Sequence, residues 1–195
     1  MRAGLYGISF IEKPVSAYGR NGNHQRYISF WRHMFHRCYS QKVHADRPTY
    51  QGCSVHQGFH KFEDFLIWAQ EQVGNDQEGW ELDKDLIVKG NTIYGPETCV
   101  FLPPRINKLF MASEASRGDL PIGVIRRKGS QRFTARCHTG NGRKQIGSFA
   151  SPAEAFAAYK VFKEEVVKSV AEKYRGLIDD RAYIALMSYT VEITD

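Results

Sequence analysis

The sequence lacks a run of about 18 apolar residues, the length that a helix needs to cross a membrane. Its first residues, MRAGLYGISF, also lack the apolar core of a signal peptide. We therefore expect a cytoplasmic protein with no membrane partner. Hydrophobic residues make up 42% of the chain and charged residues 25%, a balance that argues against a disordered chain. The length of 195 residues indicates one large domain or two small ones.

Four cysteines are present, and none of them belongs to a CxxC pair. In a reducing compartment their wide separation predicts buried thiols rather than disulfides. A zinc site is the alternative, although the spacings fit no standard arrangement of cysteines and histidines. Its candidate ligands would be His33, His36, Cys38, His44, Cys53 and Cys99.

Acidic residues are missing from the segment between Arg126 and Lys144, which carries seven lysines and arginines. The whole chain has a net charge of +6, so a large share of the positive charge is concentrated here. An uncompensated cluster of this kind favours a polyanionic partner such as nucleic acid.

Within this segment, RFTARCH alternates as a half-buried strand does. Phe133, Ala135 and Cys137 are predicted to face a helix, which leaves the side of Arg132 and Arg136 open. Guanidinium groups on an open sheet face can bind phosphates or the guanine edge in a major groove. A merely solvated polar face is the alternative.

Helical spacing of apolar residues predicts one helix in YISFWRHMFHRCYS and a second in FHKFEDFLIWAQEQ. The segment 81–103 predicts two short strands, and PPRINKLFM predicts a helix. Three further strands, separated by KGSQ and TGNG turns, precede a long helix. Ser151 is its predicted N-cap, with Pro152 in the first turn and Glu154 completing a capping box. These patterns predict an α+β fold.

The segment GVIRRKGSQRFTARCHTGNGRKQIGSFASPAEAFAAY resembles the DNA-binding domain of plant ethylene-response factors and its relatives in phage homing endonucleases. The shared marks are Gly123-Val124, the spacing of Phe133 and Ala135, IGSF and EAFAAY. The resemblance implies a three-stranded sheet packed on one helix and entering the major groove of double-stranded DNA. Carried over by position, the residues facing DNA are Arg127, Arg136, His138, Arg143 and Gln145, and the phosphate contacts are Arg126 and Arg132. Gln145 stands where the plant domains carry a tryptophan, a difference that bears on base specificity.

The stretch ELDKDLIVKGNTIYGPETCVFLPPRIN resembles the His-Asn-His motif of metal-dependent nucleases. Asp83 and Lys84 take the place of its Asp-His pair, Asn91 that of its loop asparagine, and Asn107 that of its helical ligand. The resemblance implies that Asp83 and Asn107 hold Mg²⁺ or another divalent cation. Together with the flanking WRHMFHRCY and FEDFLIWA, it predicts a phage-type homing endonuclease that hydrolyses DNA in a host cytoplasm, with no small-molecule substrate.

Lys84 departs from that motif, because the position should hold a histidine that activates water. A lysine has an ordinary pKa near 10.4, and the neighbouring Asp83 and Asp85 favour its charged form. A protonated Lys84 could instead stabilise charge on the phosphate, with Asp85, His56 or His60 as the base.

Two non-catalytic readings stay open. One is a DNA-binding protein or regulator built on a degenerate His-Asn-His scaffold, and the other is a module whose basic sheet binds an acidic protein. The predicted organisation is an N-terminal arm at 1–25, a nuclease-like domain at 26–112, a linker at 113–120, an ethylene-response-factor-like domain at 121–176 and a helical extension at 177–195.

Overall fold

The computed structural model describes residues 2–12, 22–110 and 118–193. It combines helices with small sheets, which confirms the predicted α+β class. The chain forms two compact units, Met1–Leu102 with Leu177–Ala182 and Pro103–Gly176 with Tyr183–Asp195. No helix in the described part of the chain is both long enough and apolar enough to span a membrane.

The first unit is built from helices and two-stranded sheets, with 3₁₀ turns between them. Its elements are β1 (Arg2–Ala3), β2 (Phe10–Ile11), α1 (Gly22–Tyr39), α2 (Gln41–Asp46), β3 (Ser54–Val55), α3 (Phe62–Glu71), β4 (Glu81–Asp83), β5 (Ile93–Tyr94) and β6 (Val100–Leu102). The 3₁₀ turns are Leu5–Gly7, Pro48–Tyr50 and Gln57–Phe59.

Helix α1 supplies much of the core of the first unit. Its buried residues recur every three or four positions, namely Tyr27, Ile28, Trp31, Met34, Phe35 and Cys38. The indole N–H of Trp31 donates to the carbonyl of Phe59 at 2.7 Å, so its polar atom is satisfied inside the core. Phe62, Phe65 and Ala69 of α3 complete this aromatic cluster. The two helices therefore lie close to where the sequence predicted them.

The N-terminal residues 2–12 are anchored to the first unit, whereas an arm was predicted for 1–25. Strands β1 and β2 pair antiparallel. The backbone N–H of Phe10 also donates to the carbonyl of His60 at 2.9 Å. Residues 13–21 of the predicted arm lie outside the described residues.

The segment that resembles the nuclease motif has three strands where two were predicted. β4 pairs antiparallel with β6, which sets Asp83 opposite Val100. β5 lies between them in sequence but pairs in parallel with β3. The chain between β4 and β5 is therefore a loop, and Lys84 and Asn91 lie near its two ends.

The second unit begins at Pro103, ahead of the predicted linker at 113–120, of which 113–117 lie outside the described residues. Its elements are α4 (Pro104–Asn107), the 3₁₀ turn Lys108–Phe110, β7 (Val124–Arg126), β8 (Phe133–His138), β9 (Arg143–Phe149) and α5 (Pro152–Lys173). Helix α6 (Asp180–Met187) is divided between the two units.

The second unit is a three-stranded antiparallel sheet, with β8 in the centre, packed on α5. Val124, Ala135 and Cys137 of the sheet are buried in one cluster with Ala155 and Tyr159 of the helix. Burial of these apolar side chains is the main stabilising term for a unit of this size.

The start of α5 has the predicted N-cap contact and a shifted form of the predicted capping-box contact. The hydroxyl of Ser151 accepts from the backbone N–H of Glu154 at 3.2 Å. The Glu154 carboxylate accepts in turn from the backbone N–H of Ala150 at 3.1 Å, one residue before the position that a standard capping box uses.

Candidate nucleic-acid interface

The β7–β8–β9 sheet has one side against α5 and one side open. In β8, Ala135 and Cys137 are buried while Arg136 between them is exposed, as the alternation predicted. Thr134 is buried although it lies on the side of Arg136. The reason is its central position, between Ile125 on β7 and Ser148 on β9.

All five of the predicted DNA-facing residues come together on the open side. Gln145 is the cross-strand partner of Arg136, and Arg143 is the partner of His138. The Arg127 guanidinium donates to the Gln145 side-chain oxygen at 3.5 Å, a long hydrogen bond that places Arg127 on the same side. We call this surface the basic face and define it as Arg127, Arg132, Arg136, His138, Arg143 and Gln145.

Arg132 is held along the basic face by β9. Its guanidinium donates to the Ser148 hydroxyl at 3.2 Å and to the Ser148 carbonyl at 2.6 Å. A side chain fixed in this way loses less conformational entropy when it binds a phosphate. Arg126, the other predicted phosphate contact, is the cross-strand partner of Phe133, which packs on the side of α5, so it lies on that side and not on the basic face. Its guanidinium donates to the Ser130 carbonyl at 2.8 Å and covers the ring of Phe133.

Lys144 belongs to the other side of the sheet. It is the cross-strand partner of the buried Cys137. Its ammonium lies 4.9 Å from the ring centre of Phe162 on α5, a cation–π distance. The acid-free segment of the sequence is therefore split between two sides, and the arginines dominate the open one.

Acidic side chains do not neutralise the basic face within the described residues. In residues 2–12, 22–110 and 118–193, no carboxylate forms a salt bridge with Arg127, Arg132, Arg136 or Arg143. The guanidinium groups of Arg127 and Arg132 donate to neutral oxygen atoms, which leaves their positive charge available to an anion.

His138 contributes a neutral group to this face near pH 7. It is half-buried, and its Nδ1 accepts from the backbone N–H of Gly140 at 3.1 Å. Burial first, and then the nearby charges of Lys163, Arg143 and Lys108, lower the pKa of His138 below its ordinary value.

The sequence patterns did not predict the roles of two residues near the basic face. Ser148, which anchors Arg132, carries no local signal, because its role depends on strand register. Lys163 lies on the apolar side of α5, where its ammonium is buried and donates to the carbonyl of Leu109. Burial lowers the pKa of Lys163. A lysine one turn after Tyr159 on the buried helix face is the signal that could have identified it.

In the first unit, Asp83 ends β4 with its carboxylate turned to the backbone. Oδ1 accepts from the backbone N–H of Asp85 at 3.0 Å and from that of Leu86 at 2.8 Å. Burial first, and then the Asp85 carboxylate, raise the pKa of Asp83 to about 6. This oxygen therefore shapes the turn that follows the strand.

Lys84 is a buried cation at the start of the loop. Its ammonium donates to Asp85 Oδ2 at 2.8 Å and to the Asn91 carbonyl at 2.9 Å. Burial on its own would lower the pKa of Lys84, but the bond to the Asp85 carboxylate and its charge outweigh it and leave the pKa raised. A cation of this kind has no lone pair with which to accept a proton, so Lys84 does not suit the role of general base.

Asn91 holds the far end of the same loop. Its side-chain NH₂ donates to the carbonyls of Lys84 at 2.6 Å and Ile93 at 2.7 Å, and its oxygen accepts from the Ile93 backbone N–H at 3.2 Å. Asn107, the other predicted asparagine, lies on α4 and belongs to the second unit, whereas Asp83 belongs to the first.

His56 and His60, the alternative bases, also support backbone. His56 Nδ1 accepts from the backbone N–H of Gly58 at 3.1 Å. The Nε2–H of His60 donates to the carbonyl of Val55 at 3.0 Å, which fixes its tautomer because a carbonyl can only accept.

The residues at the end of β4 do not fit the divalent metal that the sequence resemblance implies. One oxygen of Asp83 already accepts two hydrogen bonds. The Asp85 carboxylate is paired with the Lys84 ammonium. Over the part of the chain that the structure describes, no group of three or more His, Cys, Asp or Glu side chains is placed to hold a metal ion. A divalent ion here would have to compete with these hydrogen bonds and with the Lys84 ammonium for the carboxylate oxygens.

Comparison of the chain with protein-family models, with curated proteins and with solved structures finds no match. The two resemblances seen in the sequence accordingly stay predictions about this chain.

Proposed function

We propose that the protein binds double-stranded DNA through the basic face, as a non-catalytic binding protein. The observation that carries the proposal is the set of exposed guanidinium groups on one side of a sheet, without a carboxylate partner among the described residues. Arginine is suited to this partner because its planar fork binds phosphate and guanine with two parallel hydrogen bonds.

The face divides into contacts that position the protein and contacts that read bases. Arg132, already fixed to Ser148, suits a phosphate, which is recognised by charge and a fixed geometry. Arg136 and Gln145 lie opposite each other near the middle of the open side, where a groove floor would come closest. Their donors and acceptors suit base edges.

The test is fluorescence anisotropy with a labelled duplex over a range of salt concentrations. If four phosphates are neutralised, a salt slope near −3.6 predicts roughly a hundredfold loss of affinity between 50 and 200 mM salt. Arg136→Ala and Arg143→Ala should each weaken binding by about fivefold or more. Lys168→Ala removes the same charge from an exposed position of α5 and should stay within about twofold.

Equal affinities for all three variants would contradict the proposal, and so would binding that persists unchanged at about 1 M salt. If duplex DNA fails to bind while an acidic protein binds, the basic face is instead the docking surface of a protein-interaction module.

A metal-dependent endonuclease is the second candidate. It is favoured by the order of elements along the chain, because the antiparallel β4 and β6 are followed by α4, as in a hairpin–helix motif. Supercoiled plasmid should be incubated with Mg²⁺ or Mn²⁺ and wild-type protein or Asp83→Ala. The binding-protein proposal expects uncut plasmid with both. Nicking by the wild type that is lost in Asp83→Ala would replace it with a nuclease.

A further inference from the structure

Lys84 is one of the few buried charged residues in the described part of the chain, with 6% of its surface exposed. Burying an ammonium is costly unless other groups replace its water. Three groups do so here. They are the carboxylate of Asp85 at 2.8 Å, the carbonyl of Asn91 at 2.9 Å and the ring of Tyr94, whose centre lies 5.8 Å from Nζ.

These contacts tie the two ends of the loop together. The ammonium of Lys84 reaches the backbone of Asn91, and the side chain of Asn91 reaches back to the carbonyl of Lys84 at 2.6 Å. The two residues are thus joined in both directions, and the loop is closed between the end of β4 and the start of β5.

A carboxylate, a carbonyl and an aromatic face are together a cation site. Carboxylate and carbonyl oxygens are the ligands that hard metal ions take, and an aromatic face attracts a positive charge. We propose that the Lys84 ammonium occupies this cation site and stabilises the closed loop as a bound metal ion would. The loop then folds without a divalent metal.

This inference is independent of the proposed DNA binding, which rests on residues of the second unit. It also explains the poor fit of Asp83 to a metal site. The chain itself supplies the positive charge, and a divalent ion beside Lys84 would be repelled by it.

Thermal unfolding of the full chain tests the proposal. Lys84→Met keeps most of the side-chain volume but removes the charge, and should lower Tm by about 5 °C or more. Lys42→Met, the same change at an exposed position of α2, should stay within about 2 °C. At matched ionic strength, wild-type Tm in 10 mM MgCl₂ or 1 mM MnCl₂ should equal that in EDTA within about 1 °C.

A milder variant keeps the test open if Lys84→Met does not fold. Asp85→Asn weakens the ion pair at a half-exposed position and should lower Tm by about 2–4 °C, against no change for Asp46→Asn on α2. Two results would overturn the proposal. One is a wild-type Tm that rises by several degrees with Mg²⁺ or Mn²⁺. The other is a decrease in Tm for Lys84→Met and Asp85→Asn that is no larger than the decrease for their control variants.

Discussion

Arg132, the residue before β8, and Ser148 on β9 are joined by two hydrogen bonds, one to the serine hydroxyl at 3.2 Å and one to its carbonyl at 2.6 Å. The pair aims a guanidinium along the basic face before any ligand arrives. Ser148→Ala removes only the hydroxyl bond and changes no charge. It should weaken DNA binding by roughly two- to fivefold, because Arg132 must then be ordered on binding.

Anisotropy titrations of wild type and Ser148→Ala at one salt concentration measure this effect. The salt slope should stay the same, since the number of cations does not change. Arg132→Ala, in contrast, should reduce the slope by about one. An unchanged affinity in Ser148→Ala would mean that the hydrogen bond from Arg132 to the Ser148 hydroxyl does not contribute to DNA binding.

His138 should make DNA binding depend on pH. Its pKa is lowered below its ordinary value, so the ring is neutral at pH 7.5 and gains a proton as the pH falls further. The added charge lies on the basic face and should strengthen binding, by roughly threefold once the ring is protonated. His138→Gln should lose this part of the pH dependence. The measurement is the ratio of Kd at pH 7.5 and 5.5 for both proteins. Equal ratios would show that His138 lies away from the DNA.

The lowered pKa of His138 also predicts that the stability of the fold depends on pH. A histidine whose pKa is lower in the folded state stabilises the fold above its unfolded pKa, and this contribution is lost as the pH falls. Unfolding of the wild type without DNA should therefore become easier between pH 7 and 5, and less so in His138→Gln.

Local patterns in the sequence predicted the second unit well. The alternation in β8 and the capping residues of α5 each act within a few positions, so their outcome depends little on the rest of the chain. Strand β9 shows where such patterns fail. A register shift between Ala135 and Arg136 changes the alternation, so Phe149 faces the core although simple counting from Arg143 would place it on the open side.

The loop of the first unit was harder to predict, because its contacts join distant residues. The sequence shows Lys84 beside two acids, which suggested an altered catalytic group. Its burial depends on Asn91 and Tyr94, and Tyr94 belongs to β5, which pairs with the distant β3. No local pattern contains that information.

Gly123 is required by its contact with α5. Its φ is 76°, and an added Cβ would lie 2.1 Å from the Tyr159 ring. Gly123→Ala should therefore destabilise the protein by about 2–4 kcal/mol, through backbone strain and a clash in the core. Gly129→Ala is the matched control, because its φ of 78° is nearly the same but nothing lies within 4 Å of its Cβ.

Urea denaturation of both variants separates the two causes. Gly129→Ala should lower the free energy of unfolding by about 1 kcal/mol, because only the strain of the left-handed backbone acts there. Similar losses in the two proteins would show that the Tyr159 ring moves aside without penalty.

Glu164 fastens the C-terminal segment to α5. Its carboxylate accepts from Lys160 at 2.9 Å and from the backbone N–H of Val191 at 3.0 Å. The Lys160 bond first, and then the Val191 bond, lower the pKa of Glu164. A lowered carboxylate pKa stabilises the fold above the unfolded value of about 4.3, and this contribution is lost as the pH falls through the folded value.

Glu164→Gln should accordingly lower the free energy of unfolding by about 0.5–1 kcal/mol at pH 7. The difference from wild type should shrink between pH 5 and 3, where the wild-type carboxylate takes up its proton and loses the advantage of its charge. Glu165→Gln changes an exposed neighbour on the same helix and should have little effect at any pH. Urea titrations at pH 7, 5 and 3 measure all three proteins. A loss in Glu164→Gln that is the same at pH 3 and pH 7 would show that packing, and not the charge of Glu164, holds Val191 in place.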